Sequence, residues 1–272
     1  MRRVLGLCCL LACGGDAADG DPTDEADADT DADSDSDSDA DTDTDGDADV
    51  SASLSGTISG PGGSLADVDL RLCRGLACRN GLTGADGSFT FTEVEVDWHS
   101  FEVVGPDGSG LVTAFAPLQF QTDQARTVDV ALVAGQTTAL PASSGDVEAA
   151  PGLHLQIANG DLEPPTPFDP APTSVTGASV PQASWVPVDG VSGTVLAMWY
   201  LGPFDTPAAS TSGIPVSFDD QWSLADSTTL RVYVGDYETS RWLDAGTVTA
   251  SAGHLSGDAA LPVLSTVLLV QE

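Results

Sequence analysis

From residue 51 onward the chain runs in short β-branched and apolar stretches broken by Gly, Pro, Asp and Ser. No segment longer than about ten residues keeps a 3.6-residue apolar period, so helix is a minor component. "VDLRL" (68–72) and "SFTFTEVEV" (88–96) alternate at period two. That places Phe89 and Phe91 on one face of a strand and Ser88 and Thr90 on the other. "SFEVV" (100–104) and "TVDVALV" (127–133) repeat the texture. "LRVYV" (230–234) buries Leu230, Val232 and Val234 and leaves Arg231 and Tyr233 on the outward face. In "TVLAMWYLGPF" (194–204), Leu196, Met198 and Tyr200 share one face, and Val195, Ala197, Trp199 and Leu201 share the other. A strand apolar on both sides is covered on both sides. Turn signals recur roughly every 8–12 residues, which points to sandwiches. The expected fold is all-β: two consecutive β-sandwich domains of the Ig-like or prealbumin-like kind, over 51–135 and 140–272, with "PVLSTVLLVQE" (262–272) as the final strand.

Charge changes the picture first at the N-terminal end. The chain carries 8 basic and 42 acidic residues, a formal charge of −34, and every basic residue is arginine. Glu25 to Asp49 places an acid at every odd position, with Ala, Ser, Thr and one Gly between. Such a run has nothing to bury, so the stretch is expected to be disordered. A strongly anionic surface repels nucleic acid and anionic lipid headgroups, which excludes nucleic-acid binding. The absence of lysine excludes Schiff bases, P-loop lysines and Ser-x-x-Lys nucleophiles.

"MRRVLGLCCLLACGGD" has a basic start, a short apolar core from Val4 to Leu11, then small residues, which is the layout of a secretory signal. Leu10-Leu11-Ala12-Cys13 resembles the bacterial lipobox. The resemblance implies cleavage after residue 12, diacylglycerol on the Cys13 sulfur and acylation of the new amino group. Gly14 follows, not the Asp of inner-membrane retention, so the implied destination is the outer membrane of a Gram-negative cell, facing the periplasm or the outside. Cys8 and Cys9 read as apolar filler of the signal core. Residues 13–50 then form a lipidated cysteine and an Asp-rich tether, whose 34 residues from 16 to 49 reach at most roughly 110 Å.

"LSGTISGPGGSLADVDLRL" (54–72) and "TGADGSFTF" (83–91) resemble the carboxypeptidase-regulatory-like, transthyretin-like β-sandwich family. The 54–72 segment resembles the family's opening strand pair joined by a Gly-rich turn. The 83–91 segment resembles its Thr-x-x-x-Gly-x-Phe signature, with Asp86-Gly87 as a tight turn. The family implies a structural module whose catalytic partners lie elsewhere. Related adhesin repeats lock themselves with Lys–Asn isopeptide bonds, which a chain without lysine cannot form. Cys73 and Cys78 lie five apart across a hairpin or loop in an exported chain, so a disulfide is expected; half of a metal site would need further ligands nearby. Beyond residue 140, "PGLHLQIANGDL" and "STTLRVYVGDYETSRWLDAGTVTASAG" resemble, in architecture only, the β-sandwich domain of ankyrins and netrin receptors.

Candidate chemistry is sparse. His99, His154 and His254 are scattered, no zinc-protease or dinucleotide motif occurs, and Ser109 in "GPDGSG" reads as a turn. Asp219-Asp220 is a single carboxylate pair at a strand end. No enzyme is expected. Aromatics gather in the second domain as Trp185, Trp199, Tyr200, Trp222, Tyr233, Tyr237 and Trp242, of which Tyr233 and Tyr237 are the expected ligand contacts. Asp41, Asp43, Asp45, Gly46 and Asp49 match the Asp-x-Asp-x-Asp-Gly-x-x-Asp pattern of thrombospondin-type calcium repeats. A helix–loop–helix calcium loop would need a Glu where Ala52 stands, so loose Ca2+ binding is the expectation, with no other cofactor. The expected function is a membrane-anchored lipoprotein presenting β-sandwiches for structural or adhesive roles, with a protein or polysaccharide as partner. The alternative is a carbohydrate- or calcium-binding surface protein that uses the aromatics or the Asp-rich arm.

Overall fold

The computed structural model describes residues 51–164 and 170–272. The signal segment, Cys13 and the Asp-rich run with Asp41, Asp43, Asp45 and Asp49 lie outside the described residues. Among the described residues the fold is all-β, with one 3-10 turn at Gln182–Ser184.

The first sheet is built on β1 (Ala52–Gly60). This strand pairs antiparallel with β2 (Gly63–Ser64) and β5 (Ser88–Val94), and parallel with β8 (Ala125–Thr127) and β9 (Val130–Ala131). Gly56 is required where the chain between β8 and β9 crosses: a Cβ there would stand 1.9 Å from the Val128 carbonyl oxygen. The facing sheet has the order β4 (Ala77–Leu82), β3 (Asp69–Arg74), β6 (Trp98–Val103), β7 (Ala114–Gln119). The alternation of β5 holds, with Phe89 and Phe91 buried and Ser88 and Thr90 exposed. Asp86 shapes its entry by accepting from the Ser88 N–H at 3.0 Å and hydroxyl at 2.6 Å.

The opening pair differs from expectation. The Gly-rich turn joins β1 to the two-residue β2, and "VDLRL" crosses into the facing sheet as β3. Asp67 at φ 53° turns the chain there. The Thr83 hydroxyl locks the corner by donating to Leu65 O at 2.7 Å while accepting from the Val68 N–H at 2.9 Å.

All the remaining strands but β15 and β21 belong to one long sheet. Its order is β10 (Gln136–Ala139), β13 (Ser174–Ser179), β14 (Thr194–Gly202), β22 (Thr266–Gln271), β17 (Thr229–Asp236), β18 (Arg241–Ser251), β19 (His254–Gly257), β16 (Ile214–Asp219), β12 (Leu153–Ile157), β11 (Gly145–Ala150). A short β20 (Ala260–Leu261) adds to β16, and β15 (Thr206–Pro207) pairs with β21 (Val263–Leu264). Both ends of the sheet feed one core, which holds Val147, Leu153, Trp199, Phe218, Val232 and Leu269.

A second core joins the two regions. It contains Leu54, Phe89, Phe101 and Leu118 together with Met198 and Tyr200 of β14 and Leu268 and Val270 of β22. β14 and β22 are therefore covered on both faces, as the two-sided apolar pattern of β14 requires. The assignment of its first residues is corrected by a β-bulge between Val195 and Ala197. One extra residue shifts the pleat, so Val195 packs with Met198 and Tyr200, whereas Leu196 joins Ala197 and Trp199. Polar contacts reinforce the junction. Arg126 makes a two-pronged ion pair with Asp189, the Phe115 N–H donates to Thr266 Oγ1 at 3.1 Å, and the Arg241 guanidinium lies 4.0 Å over the Trp98 ring.

Candidate ligand-binding groove

The β14 bulge floors an open groove of about 380 Å³. Val195, Leu196 and Ala197 form its base, and Trp185 and Trp222 line it from two separate loops. Trp185 follows the 3-10 turn opened by Pro181. Its indole N–H donates to Val180 O at 2.8 Å, which holds the half-buried ring in place. Trp222 leaves β16 through an Asx turn: Asp220 accepts from the N–H groups of Trp222 at 3.0 Å and Leu224 at 2.8 Å. The Asp219-Asp220 pair therefore divides its work, Asp220 shaping the loop while Asp219 faces histidines.

Ser179, Gln182 and Gln221 supply the polar groups of the lining, and no charged side chain contributes. Both glutamines are exposed, and each amide offers two donors and one acceptor. A ring-shaped neutral ligand with an apolar face and hydroxyl edges matches such a lining: indoles take the face, amides the edges. A second open groove of about 390 Å³ lies between the 105–113 loop and Gly202–Phe204. Four glycines and two prolines stand among its thirteen lining residues, and its Thr137 and Thr176 hydroxyls bond each other at 2.8 Å. It presents less for recognition. Ser109, on that loop, is a turn residue whose hydroxyl donates to Pro106 O at 2.5 Å.

The expected contact residues Tyr233 and Tyr237 do not line the tryptophan groove. Tyr233 is half-buried against the second core, because the sheet's outward face is covered there, and burial raises its phenol pKa. Tyr237 is half-buried beside Phe115 and Phe204. Its hydroxyl stands 2.7 Å from Cys73 Sγ and 3.1 Å from Cys78 Sγ. The Cys73–Cys78 disulfide is present and staples directly opposed residues of β3 and β4, whose Cα atoms lie 4.0 Å apart. Arg71, Arg74 and Arg79 engage Glu102, Glu95 with Asp97, and the Thr92 and Glu93 carbonyls respectively, so the cluster balances local charge.

Trp199 and Tyr200 are core residues: the Trp199 indole donates to Pro151 O at 3.0 Å, and burial holds the Tyr200 hydroxyl far above the usual phenol range. His99 is buried edge-on to Phe120, and desolvation lowers its pKa. Among the described residues no group of three or more His, Cys, Asp or Glu side chains could hold a metal ion. The groove's own sequence signals were the loop-forming Pro181 and Asp220, each followed within a few residues by a tryptophan.

No protein-family model matches the chain, and no curated protein matches it. Solved structures similar to it include a "putative carbohydrate binding protein" of Bacteroides uniformis, 9% identical, covering 81% of this chain and 79% of that one, TM-score 0.25. The major pilin SpaD of Corynebacterium diphtheriae is 12% identical over 81% of this chain and 55% of its own, TM-score 0.27. A DUF3823 family protein of Parabacteroides merdae is 12% identical over 76% of this chain and 82% of its own, TM-score 0.23.

Proposed function

We propose that the chain is a non-enzymatic binding lipoprotein of the cell envelope whose Trp185–Trp222 groove takes a neutral sugar unit of a polysaccharide. One observation carries the reading: two half-buried indoles line a single groove of about 380 Å³ whose polar groups are amides and a hydroxyl. In this reading Cys13 carries the lipid, residues 16–49 space the sandwiches from an outer membrane, and the first sandwich is a carboxypeptidase-regulatory-like support. Loose Ca2+ binding by Asp41, Asp43, Asp45 and Asp49 is a property of that spacer. The groove is tested by tryptophan fluorescence on titration with a panel of neutral and acidic oligosaccharides. A saturable shift with a neutral member, lost in Gln182→Ala/Gln221→Ala and in Trp222→Ala, supports the reading; no shift with any member overturns it. Anchoring is tested separately, by palmitate labelling that disappears in Cys13→Ala.

A further inference from the structure

We propose that the open edge of β4 pairs antiparallel with the same edge of a second copy of this chain, across a two-fold axis at Asn80. β4 ends its sheet, and among the described strands it pairs only with β3. The register runs from Asp69↔Leu82 to Arg74↔Ala77 without a bulge. The Thr83 N–H donates to Val68 O at 3.2 Å, which fixes the parity of the ladder. Leu70 with Gly81, Leu72 with Arg79 and Arg74 with Ala77 are then the pairs that exchange hydrogen bonds. The N–H and C=O groups of Cys78, Asn80 and Leu82 therefore point away from the sheet, where a strand laid alongside takes them.

Other edges are short or covered. At the far end of the same sheet, the Phe115 N–H of β7 donates to Thr266 Oγ1 and the Gln119 N–H to the Asp189 carboxylate at 2.8 Å. On β5 the Arg79 guanidinium takes the Thr92 and Glu93 carbonyls. β8 and β9 are three and two residues long. β10 and β11, the ends of the long sheet, meet where the Thr138 hydroxyl donates to Glu148 O at 3.1 Å. Edge strands that stay alone are guarded by charge, proline or a bulge. The outward residues Cys78, Asn80 and Leu82 supply none of these, and the strand is flanked instead by leucines: Leu76 is fully exposed and Leu82 59% exposed.

Three features select a second copy as the occupant. With β7 covered, this sheet has one open edge, so pairing through it closes at two copies and cannot grow a filament. A two-fold at Asn80 sets the two Asn80 residues opposite each other, Cys78 opposite the second copy's Leu82, and Arg79 opposite its Gly81. Every outward backbone group then finds a partner, no like charges face each other, and each Leu82 reaches the hairpin tip that carries the other copy's Leu76. Charge is the third feature. At a formal −34 two copies repel, yet residues 70–85 hold three arginines and no acid. Arg71 and Arg74 are balanced by Glu102, Glu95 and Asp97, so approach along β4 meets a near-neutral strip. The Cys73–Cys78 disulfide ties β4 to β3, which holds the edge in place before a partner arrives.

The test is sedimentation equilibrium of the full chain across a range of concentrations. Every sample carries Cys8→Ser/Cys9→Ser/Cys13→Ser, so that neither lipid nor stray thiols join copies. The unaltered edge is expected to give a monomer–dimer equilibrium that stops at two and strengthens with added salt, which screens the repulsion between anionic copies. Asn80→Pro removes an N–H that points outward and leaves the ladder to β3 intact. It is expected to lower the association constant on the order of tenfold or more, because the two-fold deletes two hydrogen bonds at once. Leu76→Asn/Leu82→Thr changes only exposed side chains, guards against misfolding, and is expected to weaken association as well. Asn80→Cys is expected to be joined copy to copy by a short bis-maleimide, whereas Thr90→Cys on the exposed face of β5 is not. A monomer at every concentration would leave the edge to a strand of a different chain and overturn the proposal. A dimer that both edge variants leave unchanged lies on another face and overturns it too.

Discussion

Residues 51–134 and 136–272 are both all-β, yet they stand in unequal relation to their cores. The core of Trp199 and Phe218 draws only on residues from Leu140 to Leu269, within the second region. The core of Phe89 and Phe101 is completed by Met198, Tyr200, Leu268 and Val270, which the second region lends from the back of its own sheet. One region is self-sufficient and the other is closed by its neighbour. A sequence can therefore hold two sandwich-like stretches without holding two independent folding units, because the apolar face of a shared sheet counts toward both.

The strongest way to break this comparison is to separate the regions. Residues 51–134 alone are expected to show no cooperative thermal transition. Residues 136–272 alone are expected to keep one but to bind a hydrophobic dye through the uncovered Met198–Tyr200 face. Independent cooperative melting of 51–134 would show that the lent side chains are dispensable. A smaller effect comes from Met198→Ala, which removes volume from the junction and is expected to destabilise the whole described unit by about 2–5 kcal/mol. Differential scanning calorimetry checks it, and a single shifted transition, not one of two, marks the shared core.

The smallest effect is electrostatic. Burial, then the charges of Asp236, Glu102 and Glu238, push the Asp205 carboxyl up to about 6 from the ordinary 3.8. A carboxyl that holds its proton more tightly when folded adds stability below about pH 4, and this stability is lost as pH rises toward 6. Asp205→Asn is therefore expected to raise the melting temperature at pH 7.5 and leave it unchanged at pH 3.5. Since the residue keeps solvent contact, the gain stays below about 1 kcal/mol. Equal shifts at both pH values would count against a charge origin.

Local patterns carried most of the fold. The alternation of β5, the two-sided burial of β14 and the Cys73–Cys78 hairpin each rest on residues within one strand or turn, and each could be read from the chain. What escaped depended on register between distant segments. The bulge that exchanges Val195 and Leu196 is set by pairing with β22, some seventy residues away. Tyr237 reads as a hairpin-tip aromatic until the fold lays it on a disulfide 164 and 159 positions earlier. Trp185 and Trp222 form a groove only because β13, β14 and β16 bring two loops together, a juxtaposition that no local period encodes. The ion-pair cluster of His154, Asp219 and His254 needed the same long-range information: His154 and Asp219 are 65 positions apart in sequence and two residues apart in register.

The placement of β1 and β22 has a mechanical side. β1 begins at Ala52 and is bonded on both flanks, by β5 and by β8 with β9. β22 ends at Gln271 and is bonded on both flanks by β14 and β17. Tension applied between residues 52 and 271 enters through two interior strands, so neither end peels from a sheet edge. Each strand must break two ladders before it yields. In a force-spectroscopy experiment that pulls on residues 52 and 271, the described unit is expected to yield at a higher force than a sheet loaded through an edge strand.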